Sequence, residues 1–225
     1  LLHCRKLAFF AAASEPAQMP VEALISAFVT LAVVVDPLGL APIFAALTAH
    51  LPAAARRQVA LRASAIAFVI LCGAALGGDW LLRQLSIGLP AFRIAGGLLL
   101  FSIASEMVFG VRLVRQSLDA EAAVEEHVRN IAAFPLAIPL MAGPGAITAV
   151  ILLAGRAYGD PVGLVHLIAI IALVLVCCLV AFLVGGRITK LLGITGNVVL
   201  ERLLGVILAA LAVQFVIDGV RAVWG

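Results

Sequence analysis

Apolar runs of about twenty residues recur along this chain, and charged residues gather in the short joints between them. At 1.5 Å of helix per residue, each run is long enough to cross a bilayer core of roughly 30 Å. Inside that core no water can satisfy backbone N–H and C=O groups, so each crossing must do so within a helix. Of the 225 residues 64% are hydrophobic and 12% charged. A soluble domain carries about twice that charged share. Mean hydropathy is +1.22. The expected fold is therefore all-α, a polytopic membrane protein in contact with the lipid bilayer.

Six spans can be drawn, at 22–48, 60–82, 91–110, 131–154, 162–185 and 198–223. The polar stretch "VRLVRQSLDAEAAVEEHVRN" divides them three and three. Residues 19–110 are read as a first three-helix repeat, 111–130 as a polar cytoplasmic linker, and 131–225 as a second repeat. The first twenty residues, "LLHCRKLAFFAAASEPAQMP", resemble a weak signal peptide. The preferred reading starts the protein at Met19 and treats 1–18 as upstream translated sequence or a disordered leader. Nine Lys and Arg residues flank the first, third and fifth joints against four on the other side, or six with Arg5 and Lys6. That bias puts those joints in the cytoplasm and both termini in the periplasm.

Within the first span stands "VVVDPLGLAPIF", an aspartate and two prolines in an apolar helix. Proline removes a donor and clashes with the preceding turn, at a cost of about 3 kcal/mol in a helix interior. The fourth span has a counterpart: Pro37 and Pro42 of "PLGLAP" match Pro139 and Pro144 of "PLMAGP", each at a separation of 102. "GGDWLLRQL" at 77–85 parallels "GGRITKLL" at 185–192, and "RIAGGLLL" at 93–100 parallels "RLLGVILA" at 202–209. Three matches in one order indicate a duplication. With three spans per copy, the second enters the membrane inverted, as in many secondary transporters.

The first and fourth spans are thus expected to break near mid-membrane, the resumed helices starting near Leu40–Ile43 and Gly143–Ala146. A fresh helix N-terminus favours an anion, and Asp36 supplies the opposite sign. Such a site suits a zwitterion. The candidate binding residues are Asp36, Pro37, Gly39, Pro42, Pro139, Gly143, Pro144, Gly145 and Thr148, with Asp36 and Glu106 as candidate proton or ion carriers. The plainer reading is that Pro and Gly mark kinks and close packing only. Glu106 is either a cavity-facing carboxylate or a headgroup-zone residue near Arg112. The Thr148 hydroxyl either donates to substrate or bonds back to its own helix. Ser102 and Ser105 are open to the same two readings.

Other polar residues read as structural. Asp218 suggests an interfacial ion pair with Arg221. Arg93 and Arg202 suggest lipid anchors, Glu201 an interfacial carboxylate, and His166 a satisfied interface residue. Cys4, Cys72, Cys177 and Cys178 have no CxxC spacing, which points away from zinc and disulfides. No basic stripe with interleaved aromatics suggests nucleic acid, and no GxxxxGK[ST] motif suggests ATP hydrolysis.

"VVDPLGLAPIF", "AIPLMAGPGAIT", "FRIAGGLLLF" and "LLGVILAALAVQFVIDGV" together resemble the MarC family of bacterial inner-membrane proteins, over roughly residues 20–225. The resemblance implies six spans in three-plus-three inverted repeats, a relation to LysE-type exporters, and no cofactor. Some members are described as transporters of glycine and alanine. Where the family often carries Asn, this chain has Asp36, which adds a charge to the implied site. The expected function is secondary transport of small neutral amino acids, with no enzymatic activity. The alternative is an exporter or channel for another small solute or ion. A homo-oligomer is compatible with either.

Overall fold

The computed structural model describes residues 21–49, 51–110, 132–156 and 161–224. The expected leader 1–18 and the polar linker 111–130 lie outside the described residues. Seven helical elements follow in order: α1 (Val21–Val35), α2 (Pro37–Leu47), α3 (Ala53–Gln84), α4 (Leu89–Phe109), a wide π-type helix α5 (Ala132–Met141), α6 (Pro144–Arg156) and α7 (Pro161–Trp224). Among the described residues there is no strand. Among the described residues five stretches are long and apolar enough to cross a membrane: Val21–Leu47, Ala53–Gln84, Leu89–Phe109, Pro161–Val184 and Val198–Trp224. The expected fourth span, 131–154, takes a different form, with α5 and the short apolar α6 in its place.

Local chemistry explains several element ends. Pro37 disfavours helical backbone in the residue before it. Asp36 accordingly adopts the left-handed region at φ 55°, which Asp tolerates better than most residues. At α5, Pro139 cannot donate to the turn before it, and the ladder widens until the Ala142 amide reaches the Ala137 carbonyl at 2.9 Å. α3 ends in a Schellman pattern, with Ile87 N–H on Leu82 O at 2.9 Å and Ser86 N–H on Arg83 O at 3.0 Å. Gly110 closes α4 at φ 74°.

α4 is the axis of the packing. Followed from its start, it meets Gly219 at Pro90 and Ile94, Ala212 and Val216 at Gly97, and Gly205 at Ala104 and Met107. The partner numbers fall as α4 advances, so α4 and the last span of α7 run antiparallel. A Cβ on Gly97 would stand 2.7 Å from the Ala212 carbonyl oxygen, which only a glycine permits. Small residues serve this purpose in membranes, where helices associate by close packing rather than by excluding water. On another face α4 packs antiparallel to α6, Leu89 against Gly155 and Gly96 against Thr148 and Leu152. The earlier span of α7 lies along α2, with Phe182 stacked on Phe44 at 4.5 Å between ring centroids. Leu31, Phe44, Leu47, Leu100, Met107, Met141, Leu152 and Ile171 are the large side chains at the centre of this core.

Candidate functional site

The α1–α2 junction is one chemical unit. Asp36 still donates its own amide to Ala32 O at 2.9 Å, and its carbonyl accepts from Leu40 N–H at 3.1 Å. Its side chain turns over the start of α2 and accepts from Gly39 N–H at 3.0 Å. The carboxylate is buried, 3% exposed, and it caps an N-terminus whose dipole favours negative charge. The resumed helix therefore begins at Pro37, ahead of the expected Leu40–Ile43, because an Asp–Pro pair supplies both cap and first residue. Pro42 lies inside α2, where it deprives the Leu38 carbonyl of its helical donor. Gly39 has no room for a side chain, since a Cβ there would collide with the Asp36 carboxylate.

The second interruption lies between α5 and α6, at Ala142 and Gly143. Here the helix start agrees with the expected Gly143–Ala146, Ile147 N–H reaching Gly143 O at 3.0 Å. Pro144 has no N–H, which leaves the Gly145 and Ala146 amides as the donors of the first turn. The two interruptions are neighbours. A Cβ on Gly145 would lie 3.4 Å from Val34 Cγ1, 3.5 Å from Leu100 Cδ2 and 2.6 Å from Ile103 Cδ1. Val34 is two residues before Asp36. Leu100 and Ile103 sit at the middle of α4, so both interruptions lie at the mid-depth of that helix.

The remaining candidates are distributed around this point. Thr148, one turn into α6, is 7% exposed with its methyl against Gly96. Thr30 and Thr48 bond back to their own helices through Ser26 O and Phe44 O, both at 2.7 Å. The Thr148 hydroxyl makes no such bond among the described residues. Pro139 belongs to α5, Gly143 is half-buried and Pro144 exposed. Glu106 is half-buried, one helical turn beyond Ile103 and so close to the face of α4 that meets Gly145. Ser105 bonds back to Phe101 O at 2.9 Å. Cys178, buried on α7, lies within electrostatic reach of Asp36. Among the described residues no three His, Cys, Asp or Glu side chains could share a metal ion.

Several structural readings change. Glu201, expected at the interface, is buried within the bundle, 4% exposed, close to the start of the last span. It stands one turn before Gly205, on the side of α7 that packs against α4, a signal present in the sequence as an i, i+4 relation. Asp218 accepts from Gln214 Nε2 at 2.7 Å. His166 Nδ1 and Arg93 Nε are buried without a hydrogen-bond partner among the described residues. That departs from a satisfied histidine and from a guanidinium wholly in the headgroups. Arg56 Nε is likewise buried without a partner among the described residues, while its Nη2 reaches the end of α2 and donates to Thr48 O at 3.3 Å.

This arrangement is that of a multi-pass helical integral membrane protein. The chain belongs to the MarC family: the model of MarC family integral membrane proteins matches residues 21–224. It is 35% identical over 198 residues to the UPF0056 membrane protein YhcE of Escherichia coli (strain K12), covering 88% of this chain and 91% of that one. Similar likenesses are to UPF0056 membrane proteins of Archaeoglobus fulgidus, 38% identical over 86% of this chain and 90% of the relative, and of Aquifex aeolicus, 37% identical over 88% and 92%. No solved structure matches.

Proposed function

We propose that this protein is a secondary transporter of small neutral amino acids, with the substrate held where the α1–α2 and α5–α6 interruptions meet. The observation that carries the reading is the contact of Gly145 with Val34 at the mid-depth of α4. Irregular backbone at that depth is tolerated where it is buried in protein or lines a wet cavity, and transporters use such points as binding sites. α3 carries the chain from the end of α2 to the start of α4, and α6 ends beside that start. So α2 and α6 leave the centre toward opposite faces with both N-termini inward. That geometry supports the inverted-repeat reading.

The two N-termini are not equivalent. That of α2 is capped by Asp36, so a substrate carboxylate belongs at the Gly145 and Ala146 amides of α6. The negative charge of Asp36 then serves the ammonium end, and Thr148 adds a hydroxyl. Glu106 is the second candidate for carrying a coupling proton. Under this reading the protein resides in the bacterial inner membrane with both termini periplasmic, and it performs no covalent chemistry. The test is uptake of labelled glycine, alanine and serine into proteoliposomes with and without a pH gradient. Saturable uptake with countertransport is expected. Unsaturable flux, or flux of inorganic ions alone, would assign the protein to the exporter or channel class.

A further inference from the structure

A cavity of about 310 Å3 lies apart from the central interruptions, where the ends of α3 and α6 meet the start of α4. Its walls include Asp79, Arg83, Leu82, Ile87, Leu89 and Gly155. Asp79 and Arg83, one turn apart, pair at 2.8 Å between Oδ2 and Nε. The cavity wall thus carries one Asp79–Arg83 ion pair, a carboxylate and a guanidinium in contact, over an apolar floor. Helix ends reinforce both signs. The last turn of α6, through Gly155, presents the negative end of a helix dipole, and Leu89 begins α4 with the positive end. Depth is set by the same elements: three helix termini and Trp80, 63% exposed beside Asp79, mark the headgroup level of a membrane.

We propose that this cavity binds the headgroup of a zwitterionic phospholipid with a primary ammonium, of the phosphatidylethanolamine class. The phosphate lies at Arg83 and the start of α4. The ammonium lies at Asp79 and the end of α6, and the first acyl carbons rest on Leu82, Ile87 and Leu89. An anionic lipid brings no cation to Asp79. A choline headgroup brings a cation without N–H donors, so it cannot hydrogen-bond the carboxylate. The apolar floor favours a lipid over a free zwitterion, because a soluble ligand would leave that surface uncovered. This site is independent of the central one, and its occupancy does not depend on what is transported.

The test is native mass spectrometry of the purified full chain in mixed micelles with equimolar phosphatidylethanolamine, phosphatidylcholine and phosphatidylglycerol of matched acyl chains. The ethanolamine lipid is expected to be retained about tenfold over either competitor, the discrimination one charge-assisted hydrogen bond provides. Asp79→Asn should erase the preference over phosphatidylcholine. Arg83→Gln should weaken both zwitterionic lipids alike, and Arg83→Lys should restore most binding. Lipid-free melting curves establish that each variant is folded. Equal retention of the three lipids, or a preference unchanged in Asp79→Asn, overturns the proposal. Competition by soluble phosphoethanolamine as strong as by the lipid also overturns it and assigns the cavity to a water-soluble zwitterion.

Discussion

The Gly39 amide donates to Asp36 Oδ1 across 3.0 Å, and the same carboxylate fills the space a side chain at position 39 would need. Cap and glycine therefore form a matched pair at the centre of the bundle. Asp36→Asn keeps a capping oxygen and tolerates the left-handed backbone, so its melting temperature should stay near wild type. Asp36→Ala should lose about 1 kcal/mol, the usual worth of an N-cap. Labelled uptake separates the charge from the cap: under the proposed transport reading both variants should fall by at least about tenfold, the worth of one charge-assisted contact to a substrate ammonium. Full uptake in Asp36→Asn would leave Asp36 only its structural role.

Gly39→Ala tests the same pair from the other side. A methyl there forces the carboxylate off the amide, costing the cap and adding strain, about 1–3 kcal/mol together. Asp36→Ala removes the atoms it strikes. The double variant should therefore be less destabilised than the sum of the two single ones, and thermal unfolding in detergent of all four proteins gives the coupling. Strict additivity would show that the contact has no energetic weight.

At the second interruption, Gly145→Ala places a Cβ 2.6 Å from Ile103 Cδ1 and 3.4 Å from Val34 Cγ1. The Ile103 terminus is the end of a side chain, so the fault is repairable. Uptake should drop in Gly145→Ala, with about 1–3 kcal/mol of overpacking in stability. Adding Ile103→Val should recover a measurable part of both. Recovery of stability without recovery of uptake would point to the Gly145 amide itself, displaced from the proposed substrate.

How much of this was legible in the sequence follows from the range of each cause. Asp36-Pro37 and Pro139 to Gly145 act within one or two turns, so the element ends at Val35 and Met141 follow from nearby residue chemistry. The second proline suggests a start of α2 a few residues later than the Pro37 start that the Asp–Pro pair sets. Glu201 looked interfacial because its neighbour Arg202 is charged; its burial depends on which face of α7 meets α4. The Asp79–Arg83 cavity is assembled from the ends of three helices distant in sequence, and no local pattern announces it. The expected fourth span became α5 plus α6 because Pro139 and Pro144 each disturb the helical ladder.

The backbone of Ser86 has no local sequence signal either, and it yields a prediction of opposite sign. It occupies the left-handed position of the turn that ends α3, at φ 56°, where helices usually place glycine. A side chain in that region costs roughly 1–2 kcal/mol, part of which glycine returns as greater freedom of the unfolded chain. Both amide bonds of the turn, Ser86 to Arg83 O and Ile87 to Leu82 O, are made by backbone and survive the substitution. The Ser86 side chain is exposed, so nothing is lost from the core. Ser86→Gly should accordingly stabilise the protein by about 0.5–1 kcal/mol, read as a raised melting temperature, with uptake unchanged. A lower melting temperature would mean that the Ser86 hydroxyl contributes more to this turn than the backbone strain costs it.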